Sequence, residues 1–252
     1  MVGLLALAGL ALAGCRADVS VAIEAGRDGG GTVRVALRLD KAAVAAVAAA
    51  GDVGKGLRTG DLAAAGWDVD VGHAAADGSV TVRAEHGFED PAGLRALLDD
   101  VGGAGGPFRS LRLDRKRSFF RTTTTLRGTV DLTAGLAGFG DQALTEALGG
   151  QPFGMTDQEL AEALGAPADR AFGLQVAVRL PGRLRSNAPT VTAGSAVWAP
   201  ELGDATPLEA TATTLNRGTV AATVAASAAA LAVAAAAAVL AIRRARRRRT
   251  AG

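Results

Sequence analysis

The densest chemistry in this chain lies in its middle. Between Pro107 and Arg127 stand seven basic side chains, Arg109, Arg112, Arg115, Lys116, Arg117, Arg121 and Arg127, against the single acid Asp114, a local charge of +6. Phe108, Phe119 and Phe120, three of the seven Phe residues, fall in the same stretch. Guanidinium groups grip phosphate oxygens in forked contacts, and aromatic rings take acyl or sugar faces, so the mixture suits an anionic amphiphile. Arg112, Arg115, Lys116, Arg117, Phe119, Phe120 and Arg121 form the candidate ligand-binding set. A second reading stays open: a solvated hairpin whose arginines pair with Asp and Glu on neighbouring strands.

Cys15 is the other chemically distinctive residue. Residues 1–14 are almost wholly apolar and end in Leu12-Ala13-Gly14 before Cys15, after which Arg16 and Asp18 turn the chain polar. A short apolar stretch closed by small residues is a secretory signal. With Cys at its end the tetrad resembles a bacterial lipobox, which would make Cys15 the first mature residue, carrying a thioether-linked diacylglycerol. Cys15 is also the only cysteine, so no internal disulfide can form and lipidation would remove an unpaired thiol from an oxidising compartment. No Lys or Arg precedes the apolar stretch, so the true start is expected upstream of Met1.

Catalytic constellations are scarce. The two histidines, His73 and His86, have no neighbouring Cys and no metal-ligand spacing. Ser195 lacks the flanking glycines of a nucleophile elbow. The glycines around 102–106 do not lie between a strand and a helix in the order that cradles phosphate, and read as a turn. Asp68 and Asp70 alternate on one strand face and Asp99-Asp100 closes a helix, which is the pattern of solvated charge more than of a metal site. No enzyme class, cofactor or metal is expected.

The elements that carry these residues follow from charge and periodicity. Residues 220–242 contain no charged side chain, and Arg243, Arg244 and Arg246 through Arg249 follow at once. As a helix this run would be about 35 Å long, enough for a hydrocarbon core of about 30 Å, and the arginines suit a cytoplasmic end. A transmembrane helix over 220–242 is therefore expected, although 14 of its 23 residues are Ala and a soluble Ala-rich helix is the alternative. The pI of 9.2 misleads: without those six arginines the chain has 21 basic and 25 acidic residues, a net −4, which argues against nucleic acid as a partner.

Within the expected exterior region, Val19, Val21 and Ile23 alternate, as do Val33, Val35, Leu37 and Leu39, with a Gly-rich turn between them. Asp40 can cap a helix through Ala50. A strand around 67–71, an Asp77-Gly78 turn, a strand over 80–83 and a helix after Asp90-Pro91 repeat the ββα order. A long hairpin follows, with Leu111 and Leu113 in one strand and Phe120, Leu126, Val130 and Leu132 on one face of the next. Its length demands a bend or bulge, expected at Gly128. Short helices are expected over 141–148 and 156–164, then strands over 172–180, 194–198 and 208–213. Hairpins without β-α-β alternation predict an α+β fold with a largely antiparallel sheet and packed helices, plus the C-terminal transmembrane helix. The boundaries are 1–14 signal, 15–214 exterior domain, 215–219 tether, 220–242 membrane span and 243–252 cytoplasmic tail.

Several stretches together are similar to the LppM-type lipoprotein domain of mycobacteria and related actinobacteria: Gly106-Pro107-Phe108, Arg117-Ser118-Phe119-Phe120, Gly128-Thr129-Val130-Asp131-Leu132, Val178-Arg179-Leu180-Pro181-Gly182, Ser186-Asn187 and Trp198. Heavy Ala, Gly, Arg and Val usage agrees with the high-GC coding of that group. The resemblance implies an envelope lipoprotein on the outer side of the plasma membrane, with an α/β exterior domain that binds lipidic or mannosylated envelope molecules; it supplies no catalytic residue. Two functions stay open: a module binding an anionic phospholipid or glycolipid, or a structural protein docking on an envelope partner. An apolar cavity near the basic hairpin would favour the first, a flat apolar patch over a packed interior the second.

Overall fold

The computed structural model describes residues 16–50, 59–103, 106–135 and 171–216, together with 218–219, 222–223 and 226–229. In chain order the elements are β1 (Ala17–Ala25), β2 (Gly31–Leu39), α1 (Lys41–Ala50), α2 (Thr59–Ala64), β3 (Asp68–Val71), β4 (Val80–Phe88) and α3 (Gly93–Gly102). Then come β5 (Phe108–Arg117), β6 (Arg121–Asp131), β7 (Phe172–Arg179), β8 (Arg183–Ser186), β9 (Thr190–Thr192), β10 (Ser195–Trp198) and β11 (Ala205–Leu215). They form a seven-stranded sheet of order β3-β4-β2-β1-β7-β10-β9 and a four-stranded sheet of order β5-β6-β11-β8.

Alternation along the strands explains how the two sheets meet. Val21 and Ile23 of β1, Val33 of β2, Ala84 and Phe88 of β4, and Val176 and Val178 of β7 are buried on one face of the larger sheet. Leu111, Leu113, Leu126, Val130, Leu208, Ala210 and Ala212 are buried on one face of the smaller. Both faces belong to a single apolar cluster, which α3 joins through Leu94, Leu97 and Leu98. The opposite face of the larger sheet is polar, with Arg34 bridging Glu24 and Glu85, Arg38 paired with Asp77 and Arg83 with Asp70. Apolar-in, polar-out patterning is what drives two-layer packing.

Local signals position the helices. Asp40 Oδ1 accepts from the Ala43 amide at 2.7 Å at the start of α1, and Asp90 Oδ1 accepts from the amides of Ala92 and Gly93 just before α3. Asn187 ties the sheets together. Its Oδ1 accepts from Trp198 Nε1 (3.1 Å) and the Glu209 amide (2.9 Å), while its Nδ2 donates to the Pro207 carbonyl (2.9 Å). A buried indole N–H needs an acceptor, and this one asparagine supplies it while holding the backbone of β11.

The hairpin β5–β6 carries the irregularity its length demands. The register shifts between Arg109, opposite Thr129, and Arg112, opposite Arg127, so Ser110 and Leu111 together face Gly128. Ser110 has φ 51°, and a Cβ at position 128 would lie 2.6 Å from Leu111 Cα. The bulge is therefore on β5, and Gly128 is the residue across from it that leaves room for its backbone.

The fold class differs from the α+β expectation. Of the described residues 52% are strand and 19% helix, so they are mostly sheet, arranged as two sheets and not one. The larger sheet is mixed: β1 and β7 are parallel, with Val21 opposite Val176. Alternation along β7 is the same for a parallel or antiparallel neighbour, so local pattern could not reveal this pairing. Helix α2 and the short strands β8 and β9 were also not expected. No transmembrane helix is found among the described residues: no helix there is long and apolar enough to cross a membrane. Most of 220–242 lies outside the described residues, as do the expected helices over 141–148 and 156–164 and the tail 243–252.

Candidate functional site

The basic stretch divides into two halves with different chemistry. Near its base, Arg109 lies 4.0 Å from Asp131, Arg112 lies 3.4 Å from Asp114 and Arg127 holds Glu209 at 2.8 Å. The Thr133 hydroxyl and amide hold the Asp131 carboxyl below the ordinary carboxylate range, with Arg109 adding to the effect. These are the solvated pairs of the second reading. Towards the tip the pairing stops. Arg115 donates to the Arg27 carbonyl at 2.7 Å, across to the β1–β2 turn, and Lys116, Arg117 and Arg121 have no ion-pair partner among the described residues.

Strand alternation would have placed Arg121 with Arg115 and Arg117. The turn changes that parity: Arg117 pairs with Thr122 and Arg115 with Thr124, on the side of the buried Leu113–Leu126 pair. Arg112 and Lys116 lie on the other side, and Arg121 joins them by alternation with Thr123 and Arg127.

At the tip, Phe119 is 66% and Phe120 46% exposed, their rings edge to face at 4.8 Å. Sequence reading gave no hint of what fixes this turn. Asn216, just past the end of β11, donates from its backbone amide to the Phe120 carbonyl (2.8 Å) and from Nδ2 to the carbonyls of Ser118 (2.8 Å) and Phe119 (3.3 Å). Its Oδ1 accepts from Thr122 Oγ1 at 2.8 Å. The Ser118 amide and hydroxyl both donate to the Arg121 carbonyl. All four carbonyls from 118 to 121 are thus bonded inside the protein. The contact partners are nearly a hundred residues apart, so no local motif could announce them.

A second feature lies at the hairpin's other end. Between the larger sheet, α2, α3 and the start of β5, ten side chains, all apolar, line a partly open cavity of about 190 Å³, among them Val19, Val35, Leu37, Leu62, Val101 and Phe108. Two larger depressions, about 370 and 530 Å³, lie over the polar face of the same sheet, where Arg34, Asp70, Arg83 and Glu85 line one and Arg16, Asp18 and Arg38 the other. The charged groups named in their walls are already paired, Arg34 with Glu85, Arg83 with Asp70, Arg16 with Asp18 and Arg38 with Asp77, so the smaller apolar space is the better ligand candidate. Phe108 and Arg117 are nine residues apart along β5, about 30 Å at 3.3 Å per residue. The cavity and the unpaired cations therefore sit at opposite ends of one hairpin.

The remaining candidates have structural placements. The His86 ring packs against Trp67 at 5.5 Å, and its Nδ1 lies 2.6 Å from the Gly87 carbonyl. Asp70 is 3.8 Å from Arg83, and Asp100 accepts from Trp67 Nε1. Among the described residues no group of three or more His, Cys, Asp or Glu side chains could hold a metal ion. Cys15 lies outside the described residues.

No family model and no curated protein matches the chain. Among solved structures, it is similar to the NMR structure of the folded domain of LppM from Mycobacterium tuberculosis, with a TM-score of 0.45 and 15% sequence identity, covering 82% of this chain and 94% of that one. At that identity the likeness gives no residue a role.

Proposed function

We infer that this chain is a non-catalytic envelope lipoprotein, attached to the outer side of the plasma membrane by a diacylglycerol on Cys15, whose exterior domain binds an envelope lipid. The observation that carries this reading is the apolar cavity beside Phe108. Ligand pockets for whole drug-sized molecules occupy about 300–1,000 Å³. A space of about 190 Å³ walled entirely by Val, Leu, Ala and Phe fits one segment of an acyl chain, with the rest of the lipid outside. Apolar lining without polar groups gives such a site affinity through burial alone, at roughly 25 cal/mol per Å². Head-group selectivity must come from elsewhere on the surface, and the basic residues Arg112, Arg115, Lys116, Arg117 and Arg121 favour an anionic setting. The alternative, a docking protein with a filled interior, is less well supported because this space is left open.

Lipid extracted from the purified full chain and analysed by mass spectrometry tests the reading. A diacyl lipid should accompany the wild type at near-equal ratio and be depleted in Val35→Phe and, independently, in Leu62→Phe, each of which puts a ring into the cavity. Thermal melts confirm that at least one variant remains folded. Equal lipid in wild type and both variants, or none in any, would remove the cavity from the argument.

A further inference from the structure

We propose that the Ser118–Arg121 turn is a membrane-docking wedge, which seats Phe119 and Phe120 at the head-group level of an anionic phospholipid bilayer while Lys116, Arg117 and Arg121 meet the phosphates. This is independent of the cavity, which lies at the hairpin's far end.

Four observations converge on the tip. Phe119, Phe120 and Leu215, three of the five exposed large apolar side chains among the described residues, occur together there: Leu215 pairs with Arg121, and Asn216 bonds the Phe120 carbonyl. Isolated exposed apolar side chains are ordinary, but three at one projecting point are not. Among the described residues the cations around them lack the acids that neutralise Arg109, Arg112 and Arg127 lower on the same strands. A ring pair rimmed by unpaired basic residues is the combination that binds lipid interfaces, apolar area sinking below the head groups and guanidinium groups reaching phosphate.

The third observation concerns the backbone. A loop that meets only water can leave its carbonyls to the solvent. A loop entering the edge of a bilayer cannot, because each unpaired backbone group becomes costly there. All four carbonyls of this turn are bonded internally, three by Asn216 and one by Ser118, so it can lose water without leaving a carbonyl unpaired. The same bonds keep the turn in shape, so few conformations are lost on docking.

The fourth is where the chain goes next. Asn216 holds the tip, and the uncharged run 220–242 begins four residues later, no more than about 14 Å of extended chain away. That uncharged run thus follows in sequence directly on the residue that holds the wedge. Three apolar side chains are also few for a stable protein interface, which takes roughly 20–30 residues from each partner. A lipid surface has no such requirement.

The test places a reporter in the wedge of the full chain reconstituted in vesicles. Phe119→Trp and, separately, Phe120→Trp add one indole to a protein whose own Trp67 and Trp198 are buried at 4% and 2% exposure and give a constant background. In vesicles containing phosphatidylglycerol, the added emission should shift to the blue, be quenched by phosphatidylcholine brominated near the head group, and escape aqueous iodide. In phosphatidylcholine alone the effect should weaken. Arg117→Glu with Arg121→Glu in the Trp background should shift the docked–undocked balance by about tenfold or more, since each basic residue near an anionic surface contributes on the order of 1 kcal/mol. Near-UV circular dichroism checks that the fold is kept. An added indole open to iodide and untouched by brominated lipid in both Trp variants would overturn the wedge, whether the tip then faces water or awaits a protein. Lipid co-purification fails or succeeds separately.

Discussion

The two ends of the β5–β6 hairpin are built from the same two strands and have opposite chemistry. At the base, Phe108, Leu111, Leu113, Leu126 and Val130 are buried against the larger sheet, and every arginine has an acid within 4.0 Å. At the tip, Arg115 and Arg117 occupy the inward positions that Leu111 and Leu113 hold lower down, and the largest apolar groups point out of the protein. Past Leu113 the inward positions turn polar, with Thr122 and Thr124 buried opposite Arg117 and Arg115. A strand end without apolar inward residues has no folding reason to carry two exposed Phe residues, nor to satisfy its turn carbonyls through a residue just past another strand. The difference between the ends separates what the sequence spends on folding from what is left for an encounter.

The comparison predicts unequal costs. Leu126→Ala, at the fully buried base, should destabilise by about 2–5 kcal/mol, the range for large-to-small changes in a core. Phe119→Ala, at the tip, should stay within about 0.5 kcal/mol of wild type. Urea titrations of the full chain read both. Equal losses would mean that the tip is part of the core and not a projection from it.

Asn216→Ala should give an intermediate result of about 1 kcal/mol, because the bonds it removes are partly replaced by water. Its effect should be local: amide exchange at Ser118 and Arg121 accelerates while Val130 and Leu208 keep their protection. If protection falls throughout the smaller sheet, Asn216 is holding the fold and not only the turn.

Most of the base was legible in the sequence, and most of the tip was not. Alternation placed Leu111, Leu113, Leu126 and Val130 inward, and the length of the second strand demanded a bulge near Gly128, because these signals are local. The turn's effect on parity, which moved Arg121 away from Arg117, depends on how many residues the chain spends between strands. The split of the basic stretch into paired and unpaired halves depends on Asp131 and Glu209, and only the fold brings Glu209 beside Arg127. The cavity needed Leu62 from an unexpected helix together with Phe108 and Val19, three residues with no common motif. The parallel β1–β7 pair was out of reach for the same reason.

The smallest predicted effect separates the two ends by pH. Asp131, at the base, has its carboxyl held below the ordinary value of 3.8, first by the hydroxyl and amide of Thr133 and then by Arg109. A carboxyl whose folded pKa lies below its unfolded one contributes stability that is complete above the unfolded value and is lost as pH falls through the folded value. Asp131→Asn keeps an acceptor oxygen for Thr133 but removes the charge. The melting temperature of Asp131→Asn should therefore lie slightly below wild type near neutral pH, and the gap should close as pH falls below the ordinary carboxylate range. Asp77, held low in the same way by Ser79, titrates in both proteins, so the difference between them and not the raw acid profile is the quantity to read. Among the described residues the tip has no carboxylate partner, so a matched Arg121→Gln variant should show no such closing gap. A gap for Asp131→Asn that persists unchanged at low pH would mean that Thr133 and Arg109 contribute through shape and not charge, and the electrostatic contrast between base and tip would rest on the unpaired cations alone.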